Sequence, residues 1–269
     1  MNYKKSTVGE IIDSERQMIL DGDKNYGEYF INASEFNNLL CNFIKSIDDI
    51  EKFIFVVFLS QIKKHHTLAL FSAVRQHHIQ ASMNLRQVLE AGAWAGYAMG
   101  NKELEKFARS KSGLLDVPDN LRKAKNKWLE NNFKTKSDEI KKLKDLINQS
   151  TAHSTIIYAF QNFKMNPIEN PGFNTPFFDF DDEYKVKNDL WFVANIAQGL
   201  IDMFYGINLQ YKVFRFVDDF DERFRELVDQ NNRLKLEMMQ NPRLDLLRKY
   251  FLLQFPYFGY AELVNRRHI

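Results

Sequence analysis

No proline interrupts the chain before Pro118, and only 6 prolines and 11 glycines punctuate all 269 residues. Sandwiches and barrels need frequent turns, so punctuation this sparse predicts long helices. The apolar spacing agrees. Leu39, Leu40, Phe43, Ile44, Ile47, Ile50, Ile54, Val57 and Phe58 recur at steps of three or four, without the alternation of a strand. The spacing predicts one helix from about 35 to 63, with Ser34 as its N-cap and a kink at Asp48 and Asp49. Lys63, Lys64, His65 and His66 would close it, because cations suit the negative end of a helix dipole.

Residues 67–100 form the centre of the chain, either as one long helix or as two meeting at His77 and His78. Ala81, Leu85, Val88, Leu89, Trp94 and Ala95 mark its apolar face. Arg86 and Glu90 stand one turn apart on the same side, in a row with His78 and Ser82. That row borders the apolar face, so a charge on it is partly buried and needs a partner. Gly92, Gly96 and Gly100 recur every fourth residue, although each costs a helix about 1 kcal/mol relative to alanine. Close approach of another helix explains the first two, with Gly199 and Gly206 as the opposing small residues. Gly100 reads as a C-cap.

Further helices are expected around Glu15 to Leu20, from Asp119 to about Phe133 and from Ser137 to Asn148. Others should run from Asp181–Glu183 to about Asn208, from Asp218 to Met239, and within 241–269. The stretch from Lys111 to Lys144 has ten Lys or Arg against five Asp or Glu, and reads as solvated helix surface. Ser150, Thr151, Ser154 and Thr155 favour caps over helix interiors, which predicts a break near 150 and a new helix carrying His153 in its first turn. Residues 164–181 hold three prolines and several phenylalanines. They read as a loop with a short hairpin, pinned to the body by its aromatic rings and placed to cover a site. The fold class is therefore all-α: a single multi-helix bundle of about seven to nine helices. Residues 1–33 form a polar N-terminal segment and 34–269 the helical domain, with 217–269 as an alternative subdomain.

Several functions are disfavoured. A net charge of +2 gives no general mandate for nucleic acid, although a local patch still suffices. One cysteine, Cys41, precludes an intrachain disulfide and fits a reducing compartment. Neither a signal-peptide core nor a membrane-length apolar run is visible, so a cytoplasmic protein without membrane contact is expected. His65–His66 and His77–His78 lack the spacing of a zinc helix, and phosphate loops and nucleophile elbows are missing. No metal and no cofactor is expected.

What remains is a polar set of Arg86, Glu90 and His153, with His78, Asn84 and Tyr158 beside it. It reads either as a structural ion-pair network that fixes helix register or as a pocket for an anionic ligand, with Arg86 the donor and Glu90 orienting it. His153 and His78 are the candidates for general base.

The pattern LRQVLEAGAWAGY, followed some sixty residues later by STAHS, resembles all-helical bacterial proteins that pair an Arg-x-x-x-Glu helix with a Ser/Thr-x-His helix start. These are broadly similar to HEPN-like helical domains tied to RNA cleavage or phage defence. The resemblance spans about residues 40–210. It implies a defence or stress role, RNA as a partner and metal-independent ribonuclease activity. Arg75, Gln76, His77 and His78 approach the HEPN nuclease signature, with the histidines placed earlier. A homodimer through an exposed aromatic face, and a purely structural interaction module, complete the expectations.

Overall fold

The computed structural model describes residues 7–111, 113–150, 164–166, 172–174, 177–179 and 182–242. Within them the protein is all-helical, with nine α-helices and three small two-stranded sheets. The N-terminal helices are α1 (Val8–Leu20), α2 (Gly22–Tyr26) and α3 (Glu28–Asn42). The central pair is α4 (Phe53–Val74) and α5 (His78–Gly100). Then follow α6 (Asp119–Asn132), α7 (Lys134–Ser150), α8 (Glu183–Tyr211) and α9 (Phe220–Met239).

The helix expected over 35–63 is broken. α3 starts after Gly27, whose φ of 54° suits glycine, so Ser34 lies inside the helix and caps nothing. α3 ends at Asn42, and Ile44–Ile47 forms β1, paired antiparallel with β6 (Phe214–Phe216). At the break only Phe43 is fully buried; Ile44 is half-buried, and Ile47 and Ile50 of the apolar rhythm are exposed. Phe43 stacks on Phe204 and meets Phe214 edge-on. Asp48 and Asp49 form the turn that follows, both amides donating to the Val213 carbonyl. Asp49 then caps the short 3-10 turn at Ile50–Lys52.

The basic run at 63–66 does not close a helix either, since α4 continues to Val74. Lys63 donates to the Cys41 carbonyl, and His66 is fully buried with Nε2 3.0 Å from the Val193 carbonyl oxygen. α4 and α5 are two helices, as the second reading of 67–100 had it. They fold back antiparallel about a corner at Arg75–His77, where Gln76 takes a φ of 60°. The His65–Asn84 hydrogen bond and the Phe58–Trp94 stack mark successive rungs of this hairpin.

α8 packs against α3, α4, α5 and α9. It is long and apolar enough to cross a membrane, yet 89% of its most apolar stretch is buried inside the protein. The α5–α8 contact depends on glycine, though not on facing glycines. A methyl on Gly92 would lie 2.5 Å from Leu200 Cδ2, and one on Gly96 would lie 3.0 Å from Ile207 Cδ1. Gly100 is also a contact residue, because a methyl there would come within 2.3 Å of the Trp128 ring on α6. Asn101, in extended conformation, is the cap.

α9 closes the far side of α8 through a buried polar seam. Asn32 of α3 donates to Asn231 Oδ1, Asn231 donates to Gln198 of α8, and the Trp191 indole donates to the Asn231 carbonyl. The Tyr29 hydroxyl donates to the Leu234 carbonyl. The 33/34 boundary therefore falls inside α3, and α9 shares one apolar cluster with the central helices. β4 (Lys164–Asn166) and β5 (Gly172–Asn174) pair antiparallel, giving the hairpin expected in 164–181. Beyond it Phe177 and Phe178 pack their rings on His77, and the Asp179 amide donates to the Gln76 carbonyl. The aromatic residues thus pin this segment to the α4–α5 corner.

Candidate functional site

The polar row of α5 divides between two neighbourhoods. A helix rises 1.5 Å per residue, so His78 and Glu90 lie about 18 Å apart along the axis. At the N-terminal end, His78 Nδ1 lies 2.8 and 2.7 Å from the two carboxylate oxygens of Asp189 on α8. Asp189 is nearly buried, whereas the His78 side chain is 36% exposed. Nε2 has no protein partner among the described residues. Burial works against the imidazolium, but the hydrogen bond and charge of Asp189 outweigh it and hold the His78 pKa above the ordinary value. Burial raises the Asp189 carboxyl as well. Next to this pair, His77 Nε2 meets Glu15 at 2.8 Å and Arg75 meets the same carboxylate at 3.3 Å.

Three turns along α5, the row meets α6 and α7. Glu90 does not pair with Arg86. Its Oε1 is held by Lys144 of α7, and its Oε2 lies 3.8 Å from Lys125 of α6. The neighbouring helices bring two lysines to the carboxylate, and Arg86 Nε is left buried without a hydrogen-bond partner among the described residues. Asn148 Oδ1, one turn beyond Lys144 on α7, is also buried and has no partner among the described residues. Burial alone would raise the Glu90 carboxyl. The hydrogen bond and charge of Lys144, with the charges of Lys125 and Arg86 behind it, hold it below the ordinary range. Lys125 is 3% exposed, with Nζ 4.8 Å above the Trp94 ring. Three cations thus stand around one carboxylate in a partly buried place. Arginine and lysine in such a setting suit phosphate and carboxylate groups.

Of the residues expected at the site, Arg86 and Glu90 share this cationic cluster and His78 lies at the corner. Asn84 turns to α4, where its Oδ1 meets His65 and its NH2 donates to the Gln80 carbonyl. His153 and Tyr158 lie outside the described residues. Sequence reasoning missed Lys125, Lys144 and Asp189. The signal for Lys125 was present, because Leu121, Lys125 and Leu129 follow one another at four-residue steps and all three are buried. The surface reading of 111–144 therefore fails at Lys125, and again at Lys136, which is buried on Asp202 at 2.5 Å. Among the described residues no group of three His, Cys, Asp or Glu side chains could hold a metal ion. Compared with family models, curated proteins and solved structures, the chain matches none.

Proposed function

We propose that the pocket between α5, α6 and α7 binds a small anionic ligand, of the phosphate-bearing kind, with Arg86 and Lys144 as its charged donors. One observation carries this reading: Glu90 is already shared by two lysines, and the Arg86 Nε beside it is buried with no hydrogen-bond partner among the described residues. A buried cationic donor without a partner is costly, and an oxyanion supplies what it lacks. Glu90 keeps Lys144 in place.

The test is a titration with inorganic phosphate and with adenosine monophosphate, followed by calorimetry and by Trp94 and Trp128 fluorescence. The charge-assisted bond of Arg86 is worth about 1.5–3 kcal/mol, so Arg86→Gln should weaken binding about tenfold or more. Binding unchanged in Arg86→Gln, or absent from the wild type, removes the reading. A variant that loses its fold while ligands have no effect on the wild type would support the structural network instead.

A second reading, ribonuclease-type chemistry, draws on the corner. A partly exposed histidine held at Nδ1 by a buried carboxylate, with no partner at Nε2 among the described residues, has the geometry of a general base. Incubation with mixed single-stranded RNA in EDTA tests it. Cleavage lost in His78→Ala supports this reading. No cleavage, or cleavage that persists in both His78→Ala and His153→Ala, excludes it.

A further inference from the structure

Lys125 lies buried beside Glu90, where the proposed anion site between α5, α6 and α7 would have its inner side. Its Nζ is 3.8 Å from Glu90 Oε2, beyond hydrogen-bond range, and no other group among the described residues accepts a bond from it. The charged groups facing it are Glu90 from α5, Lys144 from α7, and Arg122 from its own helix, itself paired with Asp119. The indole of Trp94 covers one side. Burial, reinforced by Lys144 and Arg122 and only partly offset by Glu90, lowers the Lys125 pKa to about 8. A desolvated amine next to another cation is the arrangement that makes lysine a nucleophile at neutral pH.

We infer that Lys125 is an imine-forming amine, and that the pocket takes a small aldehyde or ketone bearing a phosphate or carboxylate group. The inference rests on the anion-binding reading, which assigns Arg86 and Lys144 to the charged end of the ligand. Neutral Nζ adds to the carbonyl carbon and forms the C–N bond, while the carbonyl oxygen gains a proton. Glu90 carries that proton from nitrogen to oxygen. The C–O bond then breaks, water leaves, and the imine remains. Both amine protons depart with the former carbonyl oxygen, so no oxidant, reductant or further reactant is needed. The Trp94 ring restricts water on one side and slows hydrolysis of the product.

The experiment uses pyridoxal 5′-phosphate, which joins an aldehyde to a phosphate, followed by borohydride reduction and peptide mass mapping. Lys125 should be labelled about ten times faster at pH 7.5 than the exposed Lys123 and Lys127, its larger neutral fraction being partly offset by lower basicity. Pyridoxal without the phosphate should lose most of that preference, and so should the Arg86→Gln variant. Lys125→Arg should form no fast adduct, yet still broaden the 31P signal of inorganic phosphate. Equal labelling of all three lysines, or equal rates with pyridoxal, overturns the inference. In that event 31P broadening by the wild type would leave the anion pocket standing, and its absence would remove both.

Discussion

Acid should weaken this fold through His66 more than its carboxylates alone would imply. His66 is completely buried between α3 and α8. Burial drives its pKa from 6.5 down to about 4, with the Val193 carbonyl offsetting only part of the effect. Nε2 lies 3.0 Å from the Val193 carbonyl oxygen and Nδ1 lies 2.8 Å from Asn37 Oδ1, an oxygen that also accepts from the Thr67 hydroxyl. The unfolded chain takes up a proton at this residue as pH falls through 6.5, and the folded protein refuses it until about 4. Stability is therefore full above pH 7 and declines between these two values. At pH 5 the loss is roughly 2 kcal/mol, and below pH 4 it levels off at roughly 3 kcal/mol. Urea unfolding at pH 7.5 and pH 5 measures it, with His66→Gln as the reference that cannot titrate. The pH dependence of wild type minus variant should show the 2 kcal/mol. A pH-independent difference refutes the reasoning. If the variant fails to fold, 15N shifts of the wild-type imidazole at pH 5 decide instead, and an imidazolium signature at His66 would be fatal.

Other outcomes follow from the packing and the ion pairs. Gly92→Ala forces a methyl toward the fully buried Leu200, so overpacking should outweigh the gain in helix propensity and lower stability by about 1–2 kcal/mol in chemical denaturation. Asp189→Asn should bring the His78 pKa down, as followed by histidine NMR. The stabilisation from that pair is present below the ordinary imidazole pKa and lost as pH rises through the raised one, so the variant should be destabilised most near pH 6. Asp202→Ala leaves the buried Lys136 with Glu139 at 3.3 Å as its remaining carboxylate and should cost about 3–5 kcal/mol, measured by thermal or urea melts.

How far the sequence spoke depends on the distance between cause and effect. The periods of α5, α8 and α9, and the corner at His77 and His78, arise within a few residues and were legible. So was the shared row of Arg86 and Glu90. The break at 43–52 was not, because β1 exists only where β6 arrives from residues 214–216, and the same phenylalanine spacing serves either a helix or that junction. Glu90 reads as a partner for Arg86 until α6 and α7 deliver Lys125 and Lys144 from elsewhere in the chain. Asp189 lies among Val186, Leu190 and Val193 on the buried side of α8, and only the three-dimensional fold brings His78 to it. Counting charge over 111–144 averaged away the two lysines that face inward.

α8 leaves the ribosome after α4 and α5, so when its apolar flanks appear, a receptor for one of them already exists. The other flank must wait for α9. A nascent chain halted before residue 220 would have the Trp191 indole and the Gln198 amide still seeking Asn231, beside bare apolar surface. Arrival of that one asparagine joins three helices made at separate times, α3, α8 and α9, through a single residue.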